Sequence, residues 1–271
     1  MLETVKGSAI AKILLILFIV YTIWWLLLNF TGSAGTKQYN VELFTNTYGI
    51  IAAIGGIAGI FIASRWGLLK SVMGKSIIFF SLGLLAQEFG QLSYAYYIYI
   101  LHIGVPYPSV GDIGYFGSVI LYILGIYHLS IASGAKIGLR LFFSRLQAII
   151  IPLIILIIAY LFFLKGYVFD WTAPVKIFLD FGYPFGEAFY ISLAILTFLL
   201  SRGVLGGLMK KYILSFIFAL VVQFIADFSF LYQSNQGTWA PGGINDFIYV
   251  ISYTIMSISL LQLYTVYLKS K

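Results

Sequence analysis

Eight apolar stretches, each long enough to cross a bilayer, occupy nearly the whole of this 271-residue chain and leave almost no polar sequence for a water-soluble domain. A helical span needs about 20 mainly apolar residues, each adding about 1.5 Å of rise. The stretches run roughly Ile10–Phe30, Thr47–Ala63, Ile77–Tyr99, Ile113–Ala132, Leu146–Leu164, Ile177–Leu200, Tyr212–Tyr232 and Phe247–Leu268. The expected fold is therefore all-α, a polytopic membrane protein of eight transmembrane helices. Only 9% of the residues are charged, against about a quarter in an ordinary soluble domain. Function has to come from groups inside the bilayer or at its edge.

Cytoplasmic loops of membrane proteins accumulate Lys and Arg. Here Lys6, Lys12, Arg65, Lys70, Lys75, Lys136, Arg140, Arg145, Arg202, Lys210, Lys211, Lys269 and Lys271 fall on one side, and Lys37, Lys165 and Lys176 on the other. This bias predicts a multi-pass cell-membrane protein with both termini in the cytoplasm. The net charge of +7 is thus a topology signal, and its dispersal argues against a nucleic-acid partner. The absence of Cys excludes disulfides, iron–sulfur clusters and thiolate chemistry. Thr31-Gly32-Ser33-Ala34-Gly35 resembles a cleavage site, but the apolar run before it is longer than a usual signal-peptide core, so the first span is expected to stay as an anchor.

Two segments repeat. Gln87-Glu88-Phe89-Gly90-Gln91-Leu92-Ser93-Tyr94-Ala95-Tyr96 aligns without a gap on Gln223-Phe224-Ile225-Ala226-Asp227-Phe228-Ser229-Phe230-Leu231-Tyr232. After a two-residue slip Asp112 pairs with Asp246, and Ser64-Arg65 resembles Ser201-Arg202. The expectation is two four-helix repeats, about 10–135 and 146–268, in the same orientation and related by an axis along the membrane normal. Gly55, Gly59 and Ala63 form a small-residue stripe that admits a close helix, either within the bundle or in a homodimer.

Tyr96-Tyr97, Val105-Pro106-Tyr107-Pro108-Ser109-Val110-Gly111-Asp112 with Tyr115, Tyr183-Pro184-Phe185-Gly186-Glu187, and Ala226-Asp227 followed by Pro241-Gly242-Gly243 and Asp246 carry a likeness over about residues 75–265. The pattern resembles the N-terminal multi-helix membrane region of bacterial diguanylate cyclases and sensor histidine kinases. The resemblance implies a sensory input that acts on a cytoplasmic signalling protein. With Lys271 a few residues past the last span, that signalling protein is expected to be a separate chain.

Even on permissive scales an Asp at mid-helix costs about 2.5–3.5 kcal/mol in a membrane, so each such group needs a reason. Gln87, Gln91 and Tyr94 share one helix face, as do Gln223, Asp227 and Phe230. Glu88, Gln91, Gln223, Asp227 and Glu187 all fall in the half of the membrane away from the basic loops. They could line an outward-opening pocket, or they could fix helix register through interhelical hydrogen bonds. Asp112 and Asp246 open two spans, where a carboxylate suits the positive helix end, and Ser109 to Asp112 has capping-box spacing. They are candidate ligand contacts as well as caps.

His102 and His128 lie on opposite sides and cannot share a metal, and no cofactor is implied. Tyr94, Tyr96, Tyr97 and Tyr99 read as an interfacial aromatic belt. P-loop, H-E-x-x-H and G-x-S-x-G motifs are missing, as is a Schiff-base Lys in the last span, so no catalytic residue is assigned. The leading expectation is a receptor-like module that binds a small or lipid-like ligand in its outer half. The alternatives are a lysoplasmalogenase-like membrane hydrolase and a small-solute or proton-coupled transporter.

Overall fold

The computed structural model describes residues 7–31, 34–135, 139–140, 142–201 and 210–269. Lys6, Lys136, Arg202, Lys271 and the Gly32-Ser33 part of the small-residue stretch lie outside them. The helices are α1 (Ala9–Phe30), α2 (Ala34–Thr45), α3 (Ile50–Arg65), α4 (Val72–Ala95), α5 (Gly111–Ala132), α6 (Phe142–Ala159), α7 (Pro174–Ser201), α8 (Lys210–Asn235) and α9 (Ile244–Lys269). Among the described residues eight stretches are long and apolar enough to cross a membrane, as expected of an all-α polytopic protein.

The second span is longer than its apolar run, covering Asn40–Arg65. Asn40, Glu42, Thr45, Asn46 and Thr47 hide its first turns from a hydropathy reading. Backbone bonds from Asn46 N to Glu42 O (3.0 Å) and Ile51 N to Tyr48 O (3.1 Å) carry the chain through from α2 into α3. Other helix starts follow local chemistry. Ser8 and Ser71 cap α1 and α4 by accepting from Ala11 N (3.3 Å) and Gly74 N (2.8 Å).

Helices α3, α4, α5, α7, α8 and α9 form a closed ring, each packed on the next and α9 returning to α3. Helix α1 rests on α9 and α3, and α6 rests on α7. Exchanging α3 with α7, α4 with α8 and α5 with α9 maps the ring's neighbours onto themselves. The loops 101–110, 165–173 and 236–243 lie at one end, here called the far end. Arg65, Lys70, Lys75, Arg140, Arg145, Lys210 and Lys211 lie toward the other, the basic end.

Lipid tails are as apolar as Leu, so the bundle is held by close packing and polar ties rather than by hydrophobic burial. Ile149, Leu153, Ile154 and Ile157 of α6 accordingly stay on the surface, the face a bilayer covers. Small residues let backbones approach. Gly55 abuts Ser257 of α9, and Gly59 abuts Ser81 of α4 and Leu260 of α9, so this stripe is covered within the chain. The middle of the ring is filled by Ile77, Phe80, Leu84, Tyr122, Tyr190, Ile213, Phe216 and Leu220, with Phe80 and Phe216 stacked at 5.1 Å.

Candidate functional site

Between the middle of the ring and the far end lies a cluster of carboxyl, amide and tyrosine groups. On α8 the four-residue spacing of Gln223 and Asp227 puts both on one face. Asp227 is 7% exposed. Its Oδ2 accepts from the Tyr190 hydroxyl of α7 at 2.7 Å, and its Oδ1 from Tyr249 of α9 at 3.0 Å and from Gln223 Nε2 at 2.9 Å. Gln223 Oε1 in turn accepts from Ser252 at 2.7 Å. The counterpart Gln87 of α4 donates to Ser118 of α5 at 2.8 Å and accepts from Tyr253 of α9 at 2.9 Å. Each aligned Gln therefore meets the aligned Ser one helix on.

Asp112 and Asp246 sit at their helix starts as expected, yet they do more than cap. Asp112 accepts from Ser109 N (2.7 Å), Ser109 Oγ (3.1 Å) and the Tyr183 hydroxyl of α7 (2.9 Å). Asp246 accepts from Gly242 N (2.7 Å), Thr45 Oγ1 (2.8 Å) and the Tyr48 hydroxyl (3.4 Å). Each carboxylate thus holds its own helix start and a tyrosine of the other half.

Glu187, one turn before Tyr190, is 3% exposed, and its Oε2 has no hydrogen-bond partner. Its neighbour in charge is Asp227. On the other side of the ring Gln91 donates to the Thr45 carbonyl while its Oε1 has no partner. A Cβ at Gly49, between α2 and α3, would meet side-chain oxygens of both Gln91 and Glu88. The expected quartet is thus brought together as two pairs, Glu187 with Asp227 and Glu88 with Gln91. Tyr253, whose hydroxyl donates to Gln87, lies within electrostatic reach of both Asp227 and Glu88.

Glu187, Asp227 and Gln91 are packed into protein, and only Glu88 is half-buried. A groove near the far end is apolar, lined by Phe169, Ile177, Phe178, Phe181, Gly182 and Phe185, and contains none of the quartet. Tyr48, Tyr183, Tyr190, Tyr249, Tyr253 and Asn245 are the site residues that a search for carboxylates passes over. Asn245 donates to the Ala226 carbonyl at 2.7 Å and leaves Oδ1 without a partner. Spacing carried a signal for some of them: Glu187 to Tyr190 and Asp246 to Tyr249 are three residues apart, which sets hydroxyl and carboxyl on one helix face.

The loops add a separate far-end tie, in which Asp180 accepts from Tyr107 and Tyr167, both at 2.7 Å. The bond to Asp180 pushes the Tyr167 phenol up to about 12. Asp170 is held below the usual carboxylate range by the side chain and backbone N–H of Thr172. His128 stacks on Phe79 at 5.6 Å. Among the described residues no group of three or more His, Asp or Glu is arranged to hold a metal ion.

Chemically, the cluster is rich in acceptors. Gln91 Oε1, Glu187 Oε2 and Asn245 Oδ1 are buried without donors. In comparisons with known proteins no family model matches the chain, and neither a curated protein nor a solved structure matches it.

Proposed function

We propose that the chain is a membrane sensory, receptor-like module that recognises a small or lipid-like ligand at the far-end cluster and passes a conformational change to a separate cytoplasmic protein. One observation carries this reading. The polar cluster is built across two halves of the ring, with Tyr48 of α3's span on Asp246 and Tyr183 of α7 on Asp112, while the middle of the ring is packed with aromatic and aliphatic side chains. A ligand that changed one cross-half contact would shift the halves against each other, which is what a signal requires. The exchange of neighbours around the ring supports an origin by duplication, with the halves alike in orientation.

The free acceptors Gln91 Oε1 and Asn245 Oδ1 favour a ligand that brings hydrogen-bond donors, such as an amine or a hydroxylated headgroup. A hydrolase would need two carboxyls converging on a space that substrate can reach. Glu187 and Asp227 are nearly enclosed, which makes that alternative weaker. A transporter would need a polar path to both faces.

The test is thermal stability of the solubilised full chain against a panel of alkylamines, polyols and lysophospholipids. At least one class should stabilise the wild type, by about 2.7 kcal/mol at a hundredfold excess over Kd, and should act less on Gln91→Leu. A panel without effect, or one acting equally on both proteins, sinks the reading.

The same reading sets the far end outside the cell and the termini in the cytoplasm, following the basic residues. The chain has no native Cys, so Trp171→Cys and Gln236→Cys give clean probes of the far-end loops. Both should react with a membrane-impermeant thiol reagent added to intact cells. Labelling only after the cells are opened reverses the orientation.

A further inference from the structure

The surroundings of Asp227 and Glu187 differ in a way that sequence position does not explain. Asp227 receives three donors over its two oxygens, two tyrosine hydroxyls and one amide, which suits the ionised form with its four lone-pair sites. Glu187 Oε2 is buried and meets no donor. An ionised Glu187 would place a second negative charge beside the first with nothing to solvate that oxygen, the costly arrangement for any buried charge. A proton on Oε2 removes the charge.

The groups facing the pair can be named element by element. Helix α5 brings Tyr122, α7 Tyr190, and α9 Tyr249 and Tyr253. Helix α6 carries Arg145 near its start at the basic end, where it donates to the Leu139 carbonyl at 2.9 Å. No described Lys, Arg or His acts on either carboxyl. Among the described residues the pair therefore has no counter-cation.

We propose that Glu187 and Asp227 form a one-proton site, in which a proton taken from the aqueous phase is bound as an O–H on Glu187 while Asp227 stays ionised. Binding takes the pair from two negative charges to one. Since the two carboxyls belong to α7 and α8, neighbours in the ring, the proton sets the repulsion between these helices. This site stands on its own geometry and does not depend on the sensor reading, which the ligand panel tests separately.

Infrared difference spectroscopy on the full chain in lipid nanodiscs, between acid and alkaline buffer, tests it. The expected result is a carbonyl band of a protonated carboxylic acid that shifts when glutamate is isotope-labelled and not when aspartate is. It should be lost in Glu187→Gln and kept in Glu88→Gln and Asp227→Asn. Should Glu187→Gln not fold, the labelled triple variant Glu3→Gln, Glu42→Gln and Glu88→Gln decides, because the chain holds only Glu3, Glu42, Glu88 and Glu187, and Glu187 is then the one glutamate left. A band that follows the aspartate label, one that persists in Glu187→Gln or vanishes in Glu88→Gln, or no band at all overturns the proposal. So does a band abolished at constant pH by sodium chloride alone, which would make the site one for a metal cation.

Discussion

Replacing Asp227 by Leu is expected to cost the solubilised protein about 2–5 kcal/mol, and replacing it by Asn about 1 kcal/mol or less. Leu removes the acceptor of Tyr190, Tyr249 and Gln223 at once. Interhelical hydrogen bonds measured in membranes average about 0.6 kcal/mol, so the two from Tyr190 and Tyr249 contribute about 1 kcal/mol. Leaving buried donors without partners adds to that, since each orphaned group costs about 1–3 kcal/mol. The two tyrosine hydroxyls can turn toward other acceptors, and so the upper sum is not reached. Asn keeps the shape. With its oxygen in the Oδ1 position it still accepts from Tyr249 and Gln223, and its amide group can donate to the Tyr190 oxygen, a hydroxyl that also accepts. Denaturation in detergent of wild type and both variants measures the difference. Equal stability of the Leu and Asn variants would show that the cluster does not tie α7, α8 and α9 together.

Gly114→Ala should destabilise by about 1–3 kcal/mol, the usual range for overpacking. Gly117→Ala, one helical turn further, should be neutral or stabilise by up to about 1 kcal/mol. The contrast rests on what a methyl group meets. At Gly114 it would strike the backbone of α4, at Ala86 O and, 2.7 Å away, at Gly90 N. Backbone cannot swing aside as a side chain can, so α4 and α5 have to part. Beside it Gly90 and Gly111 receive the rings of Tyr115 and Tyr94, which prevents the helices from sliding to make room. At Gly117 nothing lies within 4 Å, and Ala is simply the better helix former. The measurement is again stability of the folded chain in detergent. If both substitutions behave alike, the close α4–α5 contact is not what holds this face of the bundle.

Much of the architecture was legible from local pattern because the bilayer is a strict solvent. Runs of about 20 apolar residues have few alternatives to a spanning helix when every backbone group needs an internal partner. The exception is instructive: Asn40, Glu42, Thr45, Asn46 and Thr47 are polar, and the second span begins among them because Thr45 and Tyr48 are held by Asp246, some two hundred residues away. Hydropathy averages over neighbours in sequence and is blind to such a partner.

The sequence by itself determined the eight spans, the helix starts at Asp112 and Asp246, and the shared faces of Gln87 with Gln91 and of Gln223 with Asp227, since all of these follow from periodicity and length. Only the tertiary structure decided what those faces meet. It divides four polar residues into two pairs, leaves Glu187 Oε2 without a donor while Asp227 has three, and sends Tyr183 and Tyr48 across to the carboxylates of opposite halves. The reason is physical. Helical spacing orients a side chain about its own axis, whereas its partner depends on how the axes are arranged around the ring, and that arrangement comes from where small residues let two backbones touch.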